Sequence, residues 1–244
     1  MAHFEFVRPD GRRCPAYIAE PTTVRSGKAL VLIHEMWGVA KPIRDMADHC
    51  AAEGYRVVVP DLFRGKLAED IPSGLQLMSE LDFRDATEQD IRGAASWLEH
   101  SGATPAVIGL CMGGALAILA AMHVPELHAA VCFYGLPPPE AGDPANIKIP
   151  LLAHFARHDD WCTPDKVDAF ESRLQAGNVD YALHRYDAQH AFMNPDGAGY
   201  STAASRLAWG RTLEFLEQRL PEPRESSRRS GSDYERWRSS DYSK

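Results

Sequence analysis

Long apolar runs are missing from this sequence. Nowhere along its 244 residues does one approach the ~20 residues needed to cross a bilayer as a helix. A basic excess is missing too. The formal charge is −8 at neutral pH, so a phosphate backbone would meet a repelling surface and nucleic acid is excluded as the main partner. Paired cysteines are also missing. The five thiols, Cys14, Cys50, Cys111, Cys132 and Cys162, are odd in number, widely spaced and without a C-x-x-C pair. That excludes a disulfide frame and reads as reduced thiols in a cytoplasmic protein. The first residues, MAHFEFVRPDGRR, have no apolar segment behind a basic one, so a secretory leader is not expected. What is present is an ordinary core-forming balance, 45% hydrophobic and 25% charged, of a size that suits an α/β domain.

Short apolar runs alternate with helical patterns. His3 to Val7 and Ala16 to Ala19 flank the turn signal Pro9-Asp10-Gly11 and predict an opening hairpin. Ala29 to Ile33 is continuously apolar, as in a strand covered on both faces, and Val57 to Val59, Ala106 to Ile108, Ala129 to Phe133 and Leu151-Leu152 look the same. Tyr181 to Tyr186 reads as the last strand. Helices are expected over about Ile43 to Glu53, Arg84 to Glu99, Gly113 to Met122, Pro164 to Gln175 and Thr202 to Leu220, with Thr163 as an N-cap. Strands alternating with helices imply a mostly parallel, doubly wound sheet with helices on both faces, in a single domain over 1–220. Phe63 to Asp82 is a weakly patterned excursion of the kind that walls an active site. Residues 221–244, rich in Pro, Ser and Arg, are expected to be disordered. Their six basic and five acidic residues nearly cancel, and Tyr234, Trp237 and Tyr242 are their only large apolar side chains.

The chemistry centres on Gly109-Leu110-Cys111-Met112-Gly113, a strand-to-helix turn of the hydrolase elbow form G-x-S-x-G with cysteine in the nucleophile's place. In such a turn neighbouring backbones come very close, and glycines two before and two after relieve the clash. The thiol then sits at a helix N-terminus, where a thiolate is favoured, and the next backbone N–H, on Met112, can donate to an oxyanion. The competing reading is a packed thiol in a tight turn, since cysteine is among the most buried residue types. A nucleophile needs a base. In hydrolases of this form the order along the chain is nucleophile, acid, histidine, and only His184 and His190 come late enough. His184 falls inside a strand pattern, whereas His190 follows it and would hang over the sheet edge. The acid belongs to the loop after Leu151 to Phe155, where Asp159 and Asp160 compete. His154, His158, Asp159 and Cys162 look ligand-rich, but His154 falls in a strand, where i, i+4 spacing does not share a face, so no metal is expected.

Taken together, His34-Glu35-Met36-Trp37-Gly38-Val39, Val59-Pro60-Asp61-Leu62-Phe63, Gly109 to Gly114, the Asp160-to-Pro164 loop and Gln189 to Asn194 resemble the dienelactone hydrolase (carboxymethylenebutenolidase) family in order and spacing. The resemblance implies an α/β-hydrolase fold, a Cys-Asp-His triad without cofactor, and hydrolysis of lactones and activated esters. Carried onto this chain, it implies Cys111 as nucleophile, His190 as base and Asp160 as acid, because the family's acid stands four residues before a proline, as Asp160 does before Pro164. It implies that Glu35 holds the thiol in a resting state, that the Met36 N–H joins that of Met112 in the oxyanion hole, and that Trp37, Phe192 and Asn194 lie where substrate binds. Asn194 stands where the dienelactone enzymes carry an arginine for the substrate carboxylate. Arg64, Lys66 and Arg84 are basic residues nearby in the sequence, outside any matched motif.

The expected activity is therefore a cysteine-dependent hydrolase of lactones or activated esters, acting through a thiol acyl-enzyme. Its partner would be a small-molecule ester or lactone, with no nucleic acid and no membrane, in a monomer or small homo-oligomer. Two other classes are consistent with the fold: a non-catalytic ligand- or partner-binding protein, and a redox-responsive thiol protein, for which Cys162 would have to reach Cys111.

Overall fold

The computed structural model describes residues 4–22 and 27–220, so the expectation of a disordered 221–244 lies outside the described residues. The strands are β1 (Phe4–Val7), β2 (Arg13–Ala19), β3 (Lys28–Ile33), β4 (Arg56–Pro60), β5 (Thr104–Leu110), β6 (Ala130–Phe133), β7 (Leu151–His158) and β8 (Tyr181–Gln189). They form one sheet in the order β1-β2-β4-β3-β5-β6-β7-β8. The opening hairpin is antiparallel and joins β4 antiparallel, and every pairing from β4 to β8 is parallel.

The helices are α1 (Lys41–Ala52), α2 (Ile71–Glu80), α3 (Phe83–Asp85), α4 (Arg92–His100), α5 (Met112–His123), α6 (Pro164–Ala176) and α7 (Thr202–Arg219), with a π-helical stretch Ala86–Ile91 joining α3 to α4. Two cores form because strand side chains alternate between faces. Ala29, Val31 and Ile33 of β3 point toward α4, α5 and α6, while Leu30 and Leu32 point toward α1 and α7. All five are fully buried, at about 1.5–3 kcal/mol for each large aliphatic side chain. The parallel strands therefore read as continuous apolar runs. Helix α5 is buried along nearly its whole length, which is why it carries no polar stripe.

Two local expectations are corrected. The excursion after β4 contains a helix, α2, opened by a reciprocal cap in which the Asp70 carboxylate accepts from the Ser73 N–H and Ser73 Oγ accepts from the Asp70 N–H. Ile71 and Met78 reach a cavity while Leu77 and Met78 pack only part-buried against the core, so Gly74 is its one buried residue and no core stripe marks it in the sequence. Thr163 does occupy the N-cap position of α6, but its side chain makes no capping hydrogen bond; Pro164 at the first turn removes one N–H that would need one.

Candidate active site

Parallel strands deliver their following residues to one edge of the sheet, and the chemically notable groups gather there. Glu35 and Met36 follow β3, Cys111 follows β5, Tyr134 follows β6, Asp159 follows β7 and His190 follows β8. The chain turns at Cys111 with φ +54° and ψ −118°, outside the regions an L-residue favours. Close approach makes this turn depend on its glycines. A Cβ at Gly109 would stand 1.9 Å from the Gly113 carbonyl oxygen, and one at Gly113 would stand 2.4 Å from that of Ile33. Tyr134 (φ +37°) and Ala191 (φ +59°) are also left-handed, so three of the five described non-glycine residues with positive φ line one cavity. Strain of this kind persists where surrounding structure imposes it, and it clusters at functional sites.

His190 bridges the centre. Its Nδ1 lies 2.8 Å from Asp159 Oδ2 and its Nε2 lies 3.3 Å from Cys111 Sγ. A carboxylate can only accept, so Nδ1 carries the proton and Nε2 of the neutral ring is free to accept from the thiol. Asp159 is itself fixed from behind, since its Oδ1 accepts from the backbone N–H groups of Trp161 (2.8 Å) and Cys162 (2.9 Å). Burial works to raise the Asp159 carboxyl, but His190 and these two N–H groups outweigh it and hold the carboxyl below its ordinary value.

The acid expected from the sequence is thereby corrected. Asp159 meets His190, whereas Asp160 is exposed and makes no contact with that ring. The three residues after Asp159 turn back over its carboxylate, which aims that side chain at the sheet edge and the next one into solvent.

Glu35 is buried beside the thiol. Asn194 Nδ2 donates to its Oε2 at 3.3 Å, and the buried Tyr134 hydroxyl is its second polar neighbour. Burial pushes the Glu35 carboxyl up to about 7, moderated by the His190 charge, Tyr134 and Asn194. Burial, reinforced by the Glu35 charge, likewise raises the Cys111 thiol well above its ordinary value, against the pull of the Met112 N–H. Tyr134, whose ring meets that of His190 edge-on at 5.1 Å, was not foreseen from the sequence. Its only signal there was its place directly after a buried strand, next to Gly135.

A cavity of about 790 Å³ opens over Cys111. Trp37 and Asn194 line it, and so do Met36 and Met112. Phe192 does not. It is fully buried beneath the site against Tyr134 and Tyr186, and its expected substrate contact is corrected to a packing role. Cys162 also reaches the cavity wall. The three basic residues noted in the sequence are engaged elsewhere. Arg64 binds both Asp90 oxygens at 2.8 Å, Lys66 pairs with Glu80 and Arg84 pairs with Glu88.

An elbow thiol, a histidine on the loop after β8 and a carboxylate after β7, on a mostly parallel sheet, define a hydrolase of the α/β-hydrolase fold. Comparison with known proteins narrows the class. The model of the dienelactone hydrolase family matches residues 14–220, and the chain belongs to that family, placing it among ester and lactone hydrolases. A relative from Escherichia coli (strain K12), "Putative carboxymethylenebutenolidase", is 30% identical over 236 residues, covering 89% of this chain and 87% of its own. "Protein usf" of Aquifex pyrophilus is 29% identical, covering 90% of this chain and 98% of its own. Among solved structures, the "Putative Dienelactone Hydrolase" of Klebsiella pneumoniae superposes with a TM-score of 0.78 at 28% identity, covering 88% of this chain and 98% of that one. No described helix is long and apolar enough to cross a membrane.

Proposed function

We propose that the protein hydrolyses carboxylic esters or lactones through a thioester formed on Cys111. The observation that carries this reading is the His190 ring, held at one nitrogen by Asp159 and turned at the other toward Cys111 Sγ. As sulfur adds to the carbonyl carbon, the thiol proton passes to His190 Nε2. The backbone N–H groups of Met36 and Met112, both on the cavity wall, hold the oxyanion. The tetrahedral adduct then breaks its bond to the alcohol oxygen, which takes the proton back from Nε2. Water loses a proton to Nε2 and adds to the thioester; the adduct expels the thiolate, which takes that proton back, leaving the carboxylic acid and the resting thiol enzyme. Asp159 fixes the ring tautomer and stabilises the transient imidazolium.

Glu35 has a restraining role in this scheme. Its negative charge beside the sulfur opposes the thiolate, so the resting thiol stays neutral and resists oxidation. Substrate that displaces Glu35 from the sulfur removes the opposition. The test is hydrolysis of p-nitrophenyl acetate by the purified protein and by Cys111→Ala. Loss of activity to the buffer rate is expected, and full activity in the variant would overturn the mechanism.

A further inference from the structure

Beside the catalytic cavity lies a second hollow of about 520 Å³. The two share Leu136, Pro138, Trp161 and Lys166 as wall, so they adjoin along that boundary. The second hollow is chemically plain. Pro137, Pro138, Pro139 and Pro144 line it and have no N–H to donate, and Phe170 and Ala169 of α6 add carbon surface. Apart from Lys166 on the shared wall, its charged residues neutralise each other, with Arg173 Nε donating to Asp143 Oδ1 at 3.0 Å.

The catalytic cavity adds no welcome for an anion. Among the described residues its wall carries the carboxylates of Glu35 and Asp196, a single lysine and no arginine. That lysine, Lys166, is exposed and donates to the Trp161 carbonyl at 3.0 Å, at the boundary between the hollows.

Direction follows from the histidine. The leaving oxygen has to reach His190 Nε2 for its proton, and the Trp161 ring, which walls both hollows, lies 6.1 Å from that of His190. The alcohol half of an ester would therefore point toward Trp161 and the second hollow.

We infer that the second hollow is a subsite for the alcohol half of the substrate, and that the preferred substrate is an uncharged ester with an extended apolar alcohol. This rests on the ester-hydrolase reading above.

Two ester series test it: n-alkyl acetates from methyl to octyl, and a matched pair of long-chain acetates ending in a methyl or a carboxylate. For wild type, kcat/KM should rise with alcohol length by up to about fourfold per buried methylene, the equivalent of about 0.8 kcal/mol. The carboxylate-ended ester should be at least tenfold slower than its neutral partner. Ala169→Trp, an exposed position on α6 at the hollow's wall, should lower the octyl-to-methyl ratio at least tenfold, and A169L carries the same readout if tryptophan is not tolerated. A flat alcohol series, a preference for the carboxylate-ended ester abolished by Lys166→Met, or an unchanged ratio in both Ala169 variants would overturn the inference. Any of these with Cys111-dependent hydrolysis of methyl acetate intact leaves the hydrolase reading standing. Absence of Cys111-dependent hydrolysis of every ester overturns both.

Discussion

Replacing Asp159 with asparagine changes almost no volume and tests the geometry of the site directly. The carbonyl oxygen of the new amide can keep accepting from the Trp161 and Cys162 N–H groups, which donate to the native carboxylate at 2.8 and 2.9 Å. The amide NH₂ then faces His190 Nδ1, where the carboxylate accepted at 2.8 Å. Two donors cannot meet, so the neutral ring shifts its proton to Nε2, which then points a hydrogen at Cys111 Sγ and cannot take the thiol proton. The imidazolium also loses a charged hydrogen bond, by itself about 1.5–3 kcal/mol or roughly ten- to a hundred-and-fifty-fold in rate. With the wrong tautomer added, Asp159→Asn should lower kcat/KM for p-nitrophenyl acetate by at least about a hundredfold. Asp160→Asn, at an exposed position, should stay within about twofold. Steady-state kinetics on both variants, with thermal melts to show that each is folded, decide the matter. A larger loss in the Asp160 variant would refute this account of the carboxylate.

Three further outcomes follow from the same geometry. Glu35→Gln removes the charge that helps hold the thiol up, so iodoacetamide should label Cys111 faster at neutral pH; unchanged labelling would remove the restraining role. The same variant has a pH signature. A carboxyl raised from its ordinary 4.5 to about 7 destabilises the fold only where it ionises, so wild type loses stability as pH rises through that window. Relative to wild type, Glu35→Gln should therefore gain up to about 3 kcal/mol between pH 4 and pH 8 in urea melts, and a pH-independent difference would show that burial does not tax this group. Gly109→Ala would set a methyl 1.9 Å from the Gly113 oxygen, and a loss of at least about 3 kcal/mol or of soluble protein is expected; a native-like melting temperature would mean the elbow has slack.

The fold was legible in the sequence because parallel strands covered on both faces leave continuous apolar runs, as at Ala29 to Ile33 and Ala106 to Ile108. Cys111 was legible as a candidate because it follows such a run in a glycine-flanked turn, His190 because it follows the last strand where chain order singles it out, and Glu35 through the family resemblance of its loop. Asp159 against Asp160 was not, since two adjacent carboxylates are separated only by which of them the Trp161 and Cys162 N–H groups fold back upon. Helix α2 was missed because its apolar side chains are divided between the cavity wall and a part-buried contact with the core, although Asp70 and Ser73 had written its cap. Phe192 misled because nearness to His190 in sequence does not tell whether a ring lies over a site or beneath it. Tyr134 escaped notice because nothing in a tyrosine after a strand announces a backbone at φ +37°.

The placement of reactive groups and cavity walls has a consequence for how such a protein can change. Cys111, Tyr134, Asp159 and His190 hang from the ends of four neighbouring strands, β5 to β8, whose spacing is fixed by backbone ladders that no side chain writes. The substrate-facing walls come largely from what lies between strands, including α2 and the proline-rich run after β6. Connections tolerate insertion and exchange far better than ladders do. Under the proposed mechanism the molecule separates a part that sets the reaction from a part that sets its clientele, and the second can be rewritten from one descendant to the next while the first stays in register.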